Sequence, residues 1–310
     1  MTGETGQKRD SGVPRSRRRS SAAIAAGVVV AGVAALAAVV LIEPSAGILS
    51  GSAQQANAGT GAVVSADYTE PTPDEIAALP EARYDAVIPG LMAYTSAKVP
   101  AVSRDVYVIS TDTAIFDSAK RPVARFAFRN FAGRPTVIVP VEIDGPWALV
   151  MTPARQRLPS QAGGSAPAQT AGWVRTSSLK KAAPEPLERH VVIAASSQTL
   201  AIQEFDGTTL QSFGVAVGAS GTPTPTGVTG YLQERYLDPE QGQTTYPIEL
   251  TSLHSSAQDE PFRGEDGGLI GMHYFPSHDG TVSHGCIRLS AEAITAVNRL
   301  PLGTSVTIVP

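Results

Sequence analysis

Between Ala22 and Ile42 the chain reads AAIAAGVVVAGVAALAAVVLI, without one charged or polar side chain. As a helix this run would measure about 31 Å, close to the roughly 30 Å hydrocarbon core of a bilayer. The pattern predicts a transmembrane helix over 22–42. Beyond it, residues 43–65 are small, polar and rich in Gly, Ser and Ala, the composition of a flexible linker. Residues 66–97 add prolines and a short helix around Pro73–Leu79, and read as a continuation of the same stalk.

From about Ala101 the apolar positions recur in short β-like runs. Predicted strands are Val106–Ser110, Val123–Phe128, Thr136–Val141, Ala148–Thr152 and Trp173–Arg175, with turn formers such as Gly133–Pro135 and Gly145-Pro146 between them. Many short strands in about 80 residues predict a small β-barrel module over 101–182. Gln161–Thr170 reads as a long loop before its last strand. Pro184-Glu185-Pro186 marks a second boundary, and a new domain opens at 188 and runs to 310. There His190–Ala195 and Leu200–Phe205 alternate as strands, Asp206-Gly207 is a hairpin signal, and Leu210–Val217 returns. Ser290 is placed as the N-cap of a helix ending before Pro301, followed by a final strand Ser305–Val309.

Charge assigns a direction to the apolar run. Residues 1–20 carry a net of +4, which leaves −8 for the rest of a chain whose formal net charge is −4. Arginines immediately before an apolar span orient it by the positive-inside rule. Residues 1–21 are therefore read as a basic cytoplasmic tail, and everything beyond 42 as lying outside the cytoplasm, on a single-pass anchor in the cell membrane. A cleaved signal peptide would have a shorter apolar core and a small-x-small site close behind it. The acidic body argues against nucleic acid as a partner.

One cysteine in an exported chain cannot form an intramolecular disulfide, so its surroundings decide whether it is incidental or reactive. Gly268–Ser290 reads GLIGMHYFPSHDGTVSHGCIRLS, and three of the chain's five histidines fall with Cys286 inside it. A free thiol near pH 7 is only a few per cent thiolate and needs a neighbouring base. Histidine suits that task. Gly285 permits a tight turn that would bring amide N–H groups toward a bound carbonyl, an oxyanion hole worth about 3 kcal/mol per donor. If Cys286–Leu289 is extended, Cys286 and Arg288 share one face and Ile287 and Leu289 the other. Two residues from Cys286, His284 is placed on that face as a supporting group, which leaves the more distant His273 as the base. His278, beside Asp279-Gly280, and His254 are expected in solvent, and His190 has no evident role. The histidines and Cys286 are zinc-ligand types, but their spacings match no common zinc pattern. The chemistry needs no metal or organic cofactor.

The block SHGCIRL at 283–289, preceded by GLIGMH at 268–273, resembles the active-site signature of the L,D-transpeptidases, the YkuD-like catalytic domain. GVAVGASGTPTPTG at 214–227 resembles that family's strand–loop segment, and RHVVIAASSQTLAIQEFDG at 189–207 its opening hairpin. The module at 101–179, with GWVRTSSL, resembles a bacterial src-homology-type barrel. The resemblance implies a mainly β protein with a β-sandwich-like catalytic domain at 188–310. It implies Cys286 as nucleophile, His273 as base, and His284 beside them. Ser283, Gly285, Arg288 and Tyr274 would shape the oxyanion and substrate sites. The implied partners are peptidoglycan stem peptides, the implied role is in cell-wall organisation and cell shape, and carbapenems would be expected to acylate Cys286. Two features depart from the family pattern: the interval from His273 to the SHGC block is short, and Tyr274 stands where glycine commonly follows the histidine. Water or a protein amine as acceptor, or a catalytically silent wall-binding protein, are the competing readings.

Overall fold

In the computed structural model the residues described are 68–95, 104–259 and 268–310. The tail 1–21, the expected anchor 22–42 and the linker as far as 67 lie outside them. Among the described residues no helix is long and apolar enough to cross a membrane.

The short helix read at 73–79 is α1 (Pro73–Ala78). Thr72 caps it, its hydroxyl accepting from the Glu75 amide while the Glu75 carboxylate accepts from the Thr72 amide, with proline at the first turn. The stalk expected over 43–100 requires correction here. Tyr68 sets its ring edge-on to Phe116 and Trp147, at 5.9 and 5.1 Å. Ala82, Ile88 and Leu91 are buried in the neighbouring core. Three apolar side chains spaced among prolines suffice to fold this segment onto the module, although they show no periodicity.

That module comprises β1 (Met92–Ala93), β2 (Tyr107–Val108), β3 (Thr113–Phe116), β4 (Pro122–Phe126), β5 (Val137–Ile138), β6 (Pro140–Asp144), β7 (Trp147–Thr152), β8 (Thr170–Arg175) and β9 (Lys180–Lys181). It is the small β-barrel module expected. Its main sheet runs β4-β3-β8-β7-β6, with β1 added to β8, and β5-β2-β9 forms a second, three-stranded sheet. β3 went unread because all four of its residues are buried, which removes the alternation that marks a half-exposed strand.

Residues 188–310 contain β10 (Arg189–Ala194), β11 (Thr199–Glu204), β12 (Thr209–Gly218), β13 (Val228–Asp238), β14 (Gln243–His254), β15 (Leu269–Tyr274), β16 (Thr281–Ser283), β17 (Ile287–Leu289), α2 (Ala291–Val297) and β18 (Ser305–Val309). The Asp206-Gly207 hairpin joins β11 to β12, with Gly207 at φ 92°. Ser290 caps α2, and Ser305–Val309 is a strand as read. Two strands each serve two layers. β12 pairs β11 with its first part and β17 and β16 with its last residues, while β13 pairs β18 and then β14. Both margins of the sandwich are thereby closed, which leaves few unpaired edges. Between the layers lie Val191, Ile193, Leu200, Val215, Leu232, Ile270, Met272, Ile287, Leu289 and Ile308, with Ile294 and Val297 of α2.

The two modules meet through a buried seam. The second half of the expected loop 161–170 lies there: the Ala166 amide donates to Ser256 O, Ala168 O accepts from the His254 amide, and Gln169 is fully buried. Gln169 donates to Thr152 O at 2.7 Å and accepts from the Ser252 hydroxyl at 2.6 Å. His254, expected in solvent, is 1% exposed, its Nε2 2.8 Å from Pro153 O. The polar composition around it reflects a hydrogen-bonded seam, in which each buried donor and acceptor needs a partner.

Candidate active site

Two strands build the site. β15 and β17 run parallel, with Met272 opposite Ile287, His273 opposite Arg288 and Tyr274 opposite Leu289. Ile270, Met272, Ile287 and Leu289 point into the core and are fully buried. Period-two alternation then puts His273 and Arg288 on the opposite face, together with Cys286. Cys286 Sγ rests against the β15 backbone, 3.5 Å from the Gly271 amide and 3.6 Å from Leu269 O. Thiol, imidazole and guanidinium therefore share one face of two adjacent strands. That is the face read for Cys286 and Arg288 from SHGCIRL.

His273 is oriented by its own strand. Nδ1 lies 3.1 Å from Tyr274 O, a carbonyl that can only accept, so Nδ1 carries the proton and Nε2 keeps the lone pair. Burial lowers its pKa from the ordinary 6.5, and the Arg288 charge lowers it further, against the opposing Tyr274 carbonyl. A neutral imidazole with a basic Nε2 results at neutral pH. Arg288 stacks its guanidinium 4.2 Å from the Phe275 ring, and Phe275 is edge-on to His273 at 6.2 Å. Phe275 was not anticipated. An exposed aromatic after a strand carries no chemical signal in sequence.

The turn before Cys286 differs from the expectation in detail. Gly285 adopts φ 115°, a region that disfavours side chains. Its amide is not directed at a substrate but donates to Ser283 Oγ at 3.2 Å. Ser283 is 2% exposed, and its hydroxyl donates to Cys286 O at 2.5 Å, so it closes the turn instead of lining a cleft. His284 precedes this glycine, and its side chain is exposed. Tyr274 lies on the core side of β15, its ring 4.9 Å from Tyr246, so the structure does not bring it to the site. His278 is half-buried, its Nδ1 3.1 Å from Phe275 O. His190, at the start of β10, is 2% exposed.

The short interval between His273 and Cys286 is accommodated by β16. Thr281 pairs Val217 and Ser283 pairs Gly218, and the Gly280 amide donates to Gln198 Oε1 at 3.1 Å. Few residues are needed because the connection is fastened to β12 on its way back.

Residues 188–308 match the YkuD family, the L,D-transpeptidase catalytic domain. Solved L,D-transpeptidases are also similar to this chain at low identity. One from Stackebrandtia nassauensis is 18% identical over 41% of this chain and 57% of its own, with a TM-score of 0.29. One from Enterococcus faecium is 18% identical over 39% and 49%, at 0.27, and one from Mycobacterium smegmatis 14% over 56% and 99%, at 0.30. The chain spans about half the length of the first two. No curated protein matches it. Within the matched residues, the fold puts Cys286, His273 and Arg288 on one face of adjacent strands.

Proposed function

We propose that this protein is a peptidoglycan L,D-transpeptidase that works by cysteine acyl transfer outside the cytoplasmic membrane, held there by residues 22–42. The observation that carries the reading is the placement of Cys286 Sγ against β15, on the face that also presents His273 and Arg288. His273 Nε2 takes the thiol proton, and Sγ attacks the carbonyl of the third residue of a tetrapeptide stem. The C–N bond to the terminal D-alanine breaks, and its amine leaves with the proton from His273. An amine of a second stem then displaces the thiolate, forming an amide between third residues, and the released proton returns to the site. Arg288 holds a fixed positive charge beside these groups. No step calls on a metal or cofactor.

The test is mass spectrometry of the chain incubated with disaccharide-tetrapeptide. A dimer formed with loss of D-alanine, and a transient adduct on the peptide containing Cys286, are expected. Loss of D-alanine without a dimer assigns water as the acceptor and the carboxypeptidase reading, and an adduct resolved only by a protein amine assigns wall attachment. A chain that binds the fragment without any adduct or D-alanine release leaves the silent wall-binding reading and overturns this one.

The lowered pKa of His273 has a kinetic consequence. The base is active when neutral, so the acidic limb of kcat/KM is expected below pH 6.5, the ordinary histidine value. Arg288→Met removes the charge that adds to burial in depressing it, and should move that limb upward. A limb that stays put or falls in Arg288→Met, followed by D-alanine release across pH, contradicts this assignment of the base.

A further inference from the structure

The loop between β12 and β13 grips the nucleophile's turn. The Ala219 amide donates to Ser283 O at 2.9 Å, and Thr222 Oγ1 donates to the same carbonyl at 3.0 Å. One residue pair further on, Thr224 Oγ1 donates to Gly285 O at 2.7 Å and accepts from the Gly218 amide at 2.8 Å. Thr224 is 6% exposed, so its hydroxyl is committed on both sides away from water. Gly218 is required for this closeness, because a Cβ there would run into the Thr222 carbonyl and the Thr224 amide.

We infer that Thr224 is a positioning residue for the nucleophile, acting through the peptide unit that joins Gly285 to Cys286. That unit is planar, so fixing its carbonyl fixes the plane from which Cys286 departs. Gly285 itself supplies no restraint, since glycine at φ 115° has wide freedom around it. The restraint comes from outside the turn: Thr224 on one carbonyl, Thr222 and Ala219 on the other, and Ser283 within. Together they hold Sγ on the Gly271 amide, on the same face as His273. A hydroxyl at 224 both donates and accepts. Valine, of nearly the same shape, does neither and leaves two buried backbone groups unpaired.

The inference rests on the proposed role of Cys286, and its test is chosen to read independently of cross-linking. Iodoacetamide alkylation of Cys286, followed by mass spectrometry on the intact chain at neutral pH, is compared for wild type, Thr224→Val and Thr224→Ser. Thr224→Val is expected to alkylate at least fivefold more slowly, and Thr224→Ser within twofold of wild type. With disaccharide-tetrapeptide, Thr224→Val should lose at least tenfold in kcat with KM within twofold, and serine should restore it. Wild-type alkylation of Thr224→Val overturns the inference, whatever the turnover shows. An alkylation defect in Thr224→Val, beside a wild type that releases no D-alanine, leaves the positioning role and removes the proposed reaction. If Thr224→Val does not fold, Thr222→Val at the partly exposed rim takes its place, with an expected threefold loss. No loss there overturns the inference equally.

Discussion

Cys286→Ala is expected to release no D-alanine from a tetrapeptide and to form no covalent adduct, while keeping its fold. The thiol is half-exposed just before β17, and it makes long contacts to the β15 backbone, 3.5 Å from the Gly271 amide and 3.6 Å from Leu269 O. The side chains that anchor the strand, Ile287 and Leu289, point the other way and are fully buried. Removing sulfur should therefore change stability by little more than a surface substitution, about 0.5 kcal/mol. Covalent chemistry, in contrast, has no substitute: no other cysteine exists in the chain. Thermal melting and intact-mass spectrometry of the variant check the two halves together. Retained D-alanine release in a correctly folded Cys286→Ala protein would falsify the assignment of the nucleophile.

The second large effect concerns the seam. Residues 188–310 expressed alone should be much less stable than residues 68–310, and the longer chain should unfold in one transition. Tyr231 of β13 is 1% exposed and packs with Val139 and Met151 of the β-barrel module, in a cluster that neither module completes. Glu234, also of β13, has no exposed side-chain surface and meets the Arg134 guanidinium and the Asn130 amide from the loop after β4. From the other direction, buried Arg155 reaches Gln258 O at 3.0 Å. Breaking a buried ion pair from one side costs about 3–5 kcal/mol, and somewhat less here because Arg134 is itself half-exposed. With Tyr231 uncovered as well, a fall in Tm on the order of 10 °C is expected for 188–310. Scanning calorimetry of both chains reads this directly. Two separate transitions in 68–310, the second matching that of 188–310 alone, would show that the modules are independent.

Distance along the chain explains why part of the site was invisible in sequence. SHGCIRL and GLIGMH announced a thiol, a base and a cation because those residue types are chemically distinctive and their spacing fits two extended segments. The supports were not legible. Thr222 and Thr224 are ordinary loop residues until the fold carries them to the carbonyls of Ser283 and Gly285, some sixty positions away. His284 is exposed, and the glycine after it at φ 115° interrupts the extended backbone that alternation assumes. Tyr274 was misplaced because its position next to His273 in sequence is, in a strand, a position on the other face.

The fold divides in the same way. Local rules placed α1, the Asp206-Gly207 hairpin, the Ser290 cap and the last strand, since caps and tight turns are satisfied by near neighbours. The long strands β13 and β14, by contrast, lack a clean period: each is buried on both faces along much of its length, so the apolar signal does not alternate. What the sequence by itself determined is the candidate group around Cys286, with His273, His284 and Arg288 near it in the motifs, and the mainly β character of the chain. Only the tertiary structure decided that residues 68–95 belong to the β-barrel module, that His254 is a seam residue, and that a threonine from another loop bonds the turn before Cys286. The physical reason is range. Chemistry and turns depend on residues adjacent in the chain, whereas burial and buried hydrogen-bond partners depend on which distant segments meet.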